Sequence, residues 1–148
     1  MKRTERMSRV ADVADARADQ ALLQFAEQQR RVAMGEERLA ELRRFRDEYA
    51  DIFNGGSAVG VLQLLNHRHF LQRLNEAITF QSHQLESYRA NLHQEHVRVR
   101  EAHNRAKALD TIVQRLSKQD QRALDRVEQA QADERTQSQY STLLWTEE

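Results

Sequence analysis

The sequence predicts an all-α protein, a long two-helix antiparallel coiled-coil hairpin whose second helix is longer than the first. Apolar residues recur every seven positions over roughly eight heptads from Leu71 to Ala130, which places them on one narrow stripe of a helix. The chain has no proline, and three of its four glycines fall between Gly55 and Gly60. A mean hydropathy of −0.86 with 31% charged residues fits long helices better than a thick globular core.

The first predicted helix runs from about Arg3 to Phe53, with two apolar rows that we name a and d. The a row holds Ala11, Ala18, Phe25, Val32 and Leu39. The d row holds Met7, Ala14, Ala21, Gln28, Gly35, Leu42 and Tyr49. Small residues at the start allow close helix approach but bury little area, whereas the end of the seam is bulky.

The segment from Asn54 to Gly60 is the predicted loop. Gly55 and Gly56 can adopt positive φ and end a helix, and Ser57 is a suitable N-cap for the next one. A break this short between two heptad segments favours an antiparallel hairpin. The alternative is one continuous bent helix in a parallel dimer, which the glycine pair disfavours because glycine destabilises helix interiors.

The second predicted helix runs from about Val61 to Asp133. Its a row holds Leu71, Ile78, Leu85, Leu92, Val99, Ala106, Val113, Asp120 and Val127. Its d row holds Leu74, Gln81, Tyr88, Glu95, Ala102, Leu109, Leu116, Ala123 and Ala130. Folding about the loop should bring Met1 to the level of Val113, so that the remainder projects beyond the first helix.

Residues 1–135 are therefore expected to form a single hairpin domain, followed by a flexible tail over residues 136–148. The tail contains Trp145, the only tryptophan of the chain. It is either part of a docking motif or an incidental residue of a mobile terminus.

Composition argues against several classes of function. Twenty-three basic residues equal 23 acidic ones, so the cationic excess of a nucleic-acid or anionic-membrane binder is missing. The chain has no cysteine, no secretory signal and no apolar run long enough to span a membrane. No catalytic constellation stands out, and His93 and His96 are better explained as surface residues than as metal ligands. We expect no enzyme activity, no cofactor, no metal and no small-molecule substrate.

The apolar stripe is wider near the loop than a two-helix seam requires. Phe45, Ile52, Phe70 and Ala77 occupy flanking g positions, and Phe80 lies further out. Aromatic residues clustered at one end of a coiled coil suggest a surface for a partner protein. The alternative is a local cap in which the helix ends fold over these side chains.

Two segments carry a resemblance to a known family. Residues 39–49 read LAELRRFRDEY, and residues 66–81 read NHRHFLQRLNEAITFQ. They resemble the end of the first helix and the pattern Asn-aromatic-x-x-Phe-Leu-x-x-Leu-x-x-Ala-Ile-x-x-Gln of the FliJ family of flagellar export proteins. Ala106 to Leu109, followed by Leu116, is similar to the family's later helix. The resemblance covers about Met7 to Ala130. It departs from the family pattern at His67, which replaces the usual aromatic residue, and in the predicted second helix, which has no tryptophan.

The resemblance implies a non-enzymatic, stalk-like rod that binds the hexameric flagellar export ATPase and promotes its assembly and activity. It also implies a link to the cytoplasmic domain of the membrane export gate, and binding of export chaperones. Such a protein would be cytoplasmic and peripherally associated, through protein partners, with the inner membrane at the flagellar base. Alternatives are a homodimeric structural coiled coil and a stalk protein of an injectisome.

The resemblance also assigns surfaces to these partners. The gate-binding surface maps to Leu42, Phe45, Tyr49, Phe70, Leu74, Ala77 and Gln81. The ATPase-binding surface maps to Met7, Ala11, Ala14, Ala18, Leu22, Phe25, Val113, Leu116, Leu124 and Val127.

Overall fold

The computed structural model describes residues 2–52 and 60–146, which form two α-helices and contain no strand. Helix α1 spans Lys2–Asp51 and helix α2 spans Val61–Trp145. The prediction of an all-α hairpin with a longer second helix is confirmed. The predicted loop lies outside the described residues except for Gly60, as does the predicted end of the first helix at Phe53.

Both helices are rich in good helix formers such as Ala, Leu, Arg, Gln and Glu. The single glycine inside α1 is Gly35, and no glycine or proline occurs within Val61–Trp145. Glu5 lies in the first turn of α1, where a carboxylate interacts favourably with the positive end of the helix dipole. At the other end of α1, the Ile52 N–H donates to the Tyr49 carbonyl at 3.4 Å and closes a tighter final turn.

The contacts divide the chain into two compact units, each built from parts of both helices. The central unit consists of Asp19–Glu101, and the terminal unit consists of Met1–Ala18 with Ala102–Glu148. That residues 1–135 act as a single domain stays a prediction.

The central unit contains antiparallel helices. As the residue number increases along α1, the number of its contact residue in α2 decreases. The contacting pairs are Phe25 with His96, Glu36 with Arg89, and Phe45 with Phe70. Its core is a cluster of four buried side chains, Val32, Leu39, Ile78 and Leu85, against which Leu42, Tyr88 and Leu92 pack. All of these residues belong to the predicted a and d rows, so the heptad pattern identifies the core correctly.

The terminal unit has a much thinner core. Its buried hydrophobic residues are alanines, at positions 11, 14 and 106. At its far end the Thr4 hydroxyl donates to Asp120 Oδ2 at 2.5 Å. Each alanine buries little apolar area, so this unit gains less from burial per helical turn than the central unit does.

The level at which the two helices meet in the terminal unit differs from the prediction. Thr4 reaches Asp120, whereas the sequence predicted that the start of α1 would lie near Val113. Asp120 is therefore a covered seam position, and its carboxylate faces a hydroxyl donor. Beyond it, every residue from 121 to 146 is exposed, including the predicted seam residues Ala123, Val127 and Ala130.

The end of α2 also differs from the prediction. The helix continues to Trp145 instead of ending near Asp133, and residues 136–145, which the sequence assigned to a tail, are helical. No breaker is present in this segment. The hydroxyls of Thr136 and Thr142 donate to carbonyls four residues earlier, at 2.9 and 2.8 Å. Neither helix has a described stretch that is apolar and long enough to cross a membrane.

Candidate protein-binding surfaces

Four rings form a cluster at the end of the central unit where α1 finishes. We name Phe45, Tyr49, His67 and Phe70 the aromatic cluster. Tyr49 stacks on His67 with ring centroids 4.6 Å apart and contacts Phe70 at the same distance. Phe45 lies 6.2 Å from Phe70 in an edge-on arrangement and 6.3 Å from Tyr49. Contacts of this kind stabilise a helix pair beyond the area that they bury.

The aromatic cluster has a buried side and an open side. His67 is 5% exposed and lies seven residues before Leu74, so it continues the d row toward the loop. Phe45 and Phe70 remain 48% and 38% exposed although they pack against each other. The aromatic residues therefore close the end of the seam, and two of them also present ring surface to solvent.

The predicted gate-binding residues all lie in the central unit but differ in accessibility. Leu74 is buried in the seam, whereas Leu42, Tyr49, Ala77 and Gln81 are partly buried. Of this set, Phe45 and Phe70 are the exposed members. Phe45 and Phe70 thus offer a partner the most direct contact.

An open groove of about 330 Å³ lies beside Phe45. It is lined by Leu42, Phe45 and Gln81, together with Arg38 and Glu41, which the sequence analysis did not select. Arg38 could have been found, because it lies seven residues before Phe45 in the same flanking row. An apolar floor with one cationic and one anionic side chain can orient a partner as well as bind it.

The first turns of α2 add apolar surface that the sequence analysis also missed. Val61, Leu62, Leu64 and Leu65 are between 40% and 75% exposed, and Ile52 at the end of α1 is 60% exposed. A contiguous run of aliphatic residues at a helix start is the signal that could have identified this surface. A further open groove on α2 is lined by Gln72, Asn75, Glu76, Thr79, Phe80 and His83.

Most of the residues predicted to bind the ATPase are buried or partly buried between the two helices. In the terminal unit, Ala11 and Ala14 are buried, and Met7, Ala18, Val113 and Leu116 are partly buried in the seam. Leu124 and Val127 are exposed, at 50% and 54%. In the central unit, Phe25 is partly buried against the His96 ring at 5.6 Å, and Leu22 is exposed.

Residues 121–146, which we name the extension, are the part of the terminal unit beyond Asp120 and are helical up to Trp145. Every residue in this range is exposed. Its apolar members are accessible on one unbroken helix, among them Leu124, Val127, Tyr140, Leu143, Leu144 and Trp145. In the part of the chain that the structure describes, no group of three or more His, Cys, Asp or Glu side chains could hold a metal ion.

Gln28 and Glu95 are polar side chains on the d rows of the central unit. Gln28 Oε1 and Glu95 Oε2 are buried without a hydrogen-bond partner among the described residues. Arg98 donates to the other carboxylate oxygen of Glu95 at 2.9 Å. A buried polar atom without a partner destabilises a coiled coil, but it can also specify its register.

Comparison with known proteins adds one finding. The model of the family described as "Flagellar FliJ protein" matches residues 1–142, almost the whole chain. Searches among curated proteins and among solved structures gave no match.

Proposed function

Because the chain belongs to the FliJ family of flagellar proteins, we propose that it is a stiff coupling rod that binds the hexameric flagellar export ATPase and links it to the export gate. Membership establishes a function related to flagellar export, and the family is a non-catalytic component of that system. In the proposal, the rod promotes assembly and activity of the ATPase ring, contacts the cytoplasmic domain of the gate and engages export chaperones. It works in the cytoplasm and associates with the inner membrane only through protein partners.

The observation that carries the ATPase-binding part is the extension. A single helix in water is stable only marginally, and most helices are stabilised by packing an apolar face. The extension has exposed apolar side chains that no described residue of its unit covers, and it continues directly from the paired part of α2. A continuous helix also transmits position and force from the paired segment to a bound ring.

The aromatic cluster supports the gate-binding part. Exposed aromatic rings held in place by neighbouring rings lose little side-chain freedom when they bind. Phe45 and Phe70 meet this description, since each packs against Tyr49 and still presents open ring surface.

An ATPase assay tests the first part. The purified chain should raise the turnover of the cognate export ATPase. The increase should be proportional to the fraction of ATPase rings that carry a bound chain, and it should saturate. Light scattering of the chain alone should give a monomer of 17.4 kDa, since the seam is paired within one chain. Unchanged ATPase turnover with a fully helical chain would refute the proposal, and a stable dimer would favour the structural coiled-coil alternative.

Replacement of Phe45 tests the gate-binding part. Phe45→Ala should weaken binding to the cytoplasmic domain of the export gate about tenfold, since a partly exposed aromatic anchor is removed. Helicity should be unchanged, because Phe45 is 48% exposed. Met34→Ala is the matched control, because Met34 is also exposed in the central unit but lies outside the predicted surface. Equal binding by both variants would contradict the assignment of this surface.

A further inference from the structure

Charge is unevenly distributed around the two helices of the terminal unit. The residues that immediately precede a seam residue form one flank of each helix, and those that immediately follow one form the other flank. Thr4 contacts Asp120 and so extends the a row of α1 by one heptad. Within residues 3–17 and 105–126 the preceding flank contains no acidic residue. It consists of Arg3, Arg6, Val10, Val13 and Arg17 on α1, and of Arg105, Ala108, Ile112, Arg115, Gln119, Arg122 and Arg126 on α2.

The preceding flanks of α1 and α2 lie on the same face of the terminal unit. Ser8 follows a seam residue of α1, Ser117 follows a seam residue of α2, and the two serines line one groove together. The flanks that follow the seam therefore share a face, and the flanks that precede it share the opposite face. We name this opposite face, with the twelve residues of the preceding flanks, the arginine face. All twelve residues are exposed, and seven of them are arginines.

The face with the groove is predominantly acidic. Glu5, Asp12, Asp15 and Asp110 follow seam residues, together with the basic residue Lys107. The balance of 23 basic and 23 acidic residues in the whole chain thus hides a local separation of charge. In the part of the chain that the structure describes, the arginines of the arginine face form no ion pair with a carboxylate, and the ion pairs lie in the central unit.

Arginines interleaved with aliphatic side chains suit the headgroup region of an anionic membrane. A guanidinium binds phosphate oxygens through two parallel hydrogen bonds and is more weakly hydrated than an ammonium. Val10, Val13 and Ile112 are 38% to 52% exposed between the arginines, and such side chains bind at the boundary between headgroups and acyl chains. The arginine face extends about 30 Å along α2 at 1.5 Å per residue. It therefore meets a planar layer of phosphate groups without having to match a particular shape.

Nucleic acids fit the arginine face less well than lipid does. Single-stranded nucleic acid binds by stacking its bases on aromatic side chains, and the arginine face contains none. Duplex DNA is read in a major groove about 12 Å wide, whereas two helices side by side are about 20 Å wide. An acidic protein surface would have to present carboxylates along the same length, whereas a membrane of anionic lipids presents phosphates everywhere.

We propose that the arginine face binds a membrane of anionic phospholipids directly. This contact goes beyond the proposed function, in which the chain reaches the inner membrane through protein partners. Each basic residue close to an anionic membrane strengthens binding about fivefold. The arginine face brings seven arginines to one side of the terminal unit, so charge attraction supplies most of the affinity and the aliphatic side chains add to it.

Cosedimentation of the full chain with vesicles measures this contact. The chain should bind vesicles of phosphatidylglycerol at least about tenfold more tightly than vesicles of phosphatidylcholine. Added NaCl should weaken the binding, because salt screens exposed charges. Arg17→Gln with Arg115→Gln should lower affinity for phosphatidylglycerol vesicles about 10- to 30-fold. The circular dichroism at 222 nm should be unchanged, since both side chains are exposed and glutamine is a good helix former.

Arg9→Gln with Lys107→Gln is the matched control, because it removes the same charge from the terminal unit. Arg9 lines the groove on the opposite face, and Lys107 follows the seam residue Ala106. This variant should bind phosphatidylglycerol vesicles within about threefold of the parent chain.

Three results would overturn the inference. The first is a parent chain that does not sediment with phosphatidylglycerol vesicles. The second is an equal loss of affinity in both double variants, since net charge and not the arginine face would then attract the lipid. The third is a chain that leaves the vesicles unbound but binds duplex DNA or a polyglutamate peptide through Arg17 and Arg115. The export ATPase does not enter these measurements, so their failure leaves the proposed function intact.

Discussion

Replacing Gly35 with alanine sets a favourable backbone effect against an unfavourable contact. Gly35 lies inside α1 on the d row, and its backbone is helical. Alanine is more favourable than glycine in a helix interior by about 1 kcal/mol. An added Cβ, however, would lie 3.1 Å from Leu85 Cδ1 and 3.8 Å from Tyr88 Cδ2. The first distance is shorter than the usual carbon–carbon contact of about 3.5 to 4.0 Å.

The cost of that contact depends on whether Leu85 can move. Leu85 is 3% exposed and belongs to the buried cluster of the central unit, so a shift of its methyl group disturbs its neighbours. Overpacking of this kind costs about 1 to 3 kcal/mol. Gly35→Ala should therefore lower the free energy of unfolding by up to about 2 kcal/mol. In a Leu85→Ala background the close contact is absent, so Gly35→Ala should raise the free energy of unfolding by about 1 kcal/mol.

A double-mutant cycle measures this change of sign. The parent chain, both single variants and the double variant are unfolded in urea while the circular dichroism at 222 nm is recorded. The coupling free energy between positions 35 and 85 should be about 1 to 3 kcal/mol. Equal m-values across the four proteins show that the unfolding reaction is the same. Equal stabilisation by Gly35→Ala in both backgrounds would refute the packing of Gly35 against Leu85.

Two further predictions concern the seam. Leu39→Ala should lower the free energy of unfolding by about 2 to 4 kcal/mol because Leu39 is 6% exposed, whereas Leu124→Ala, at a 50% exposed position, should change it by less than about 0.5 kcal/mol. Thermal unfolding distinguishes the two, and equal losses would mean that the extension is packed in solution. Glu95→Leu should raise the free energy of unfolding by about 1 to 2 kcal/mol, since it replaces a carboxylate oxygen that is buried without a partner. A loss of stability in urea unfolding would show that the contact of Glu95 with Arg98 outweighs this cost.

Most of the seam could be predicted because the seven-residue repeat is a local property. Every predicted a and d residue between Met7 and Asp120 has restricted exposure, including polar Gln28 and Glu95. His67 was missed because the repeat was not extended one heptad toward the loop. The end of α2 was misplaced because the apolar pattern is lost after Ala130, although the helix continues to Trp145 in a segment without glycine or proline.

The candidate surfaces were less predictable than the seam. The sequence identified Phe45 and Phe70 as more aromatic surface than a two-helix seam requires, but it could not divide the cluster into buried and open rings. That division depends on which faces of α1 and α2 meet, as in the stacking of Tyr49 on buried His67. Arg38 and Glu41 join the surface for the same reason, since they line the groove beside Phe45.

The sequence by itself determined that the chain forms two long helices, which residues face their seam, and that its segments resemble the FliJ family. Only the tertiary structure decided the level at which the helices pair, with Thr4 at Asp120, and hence that the unpaired extension begins at residue 121. The physical reason is that a heptad repeat is periodic. If one helix shifts by seven residues, its apolar rows still pack against the apolar rows of the other helix. The heptad pattern alone therefore leaves several registers almost equivalent. Specific contacts select among them, such as the small Gly35 beside the large Leu85 and the Phe25 ring against His96.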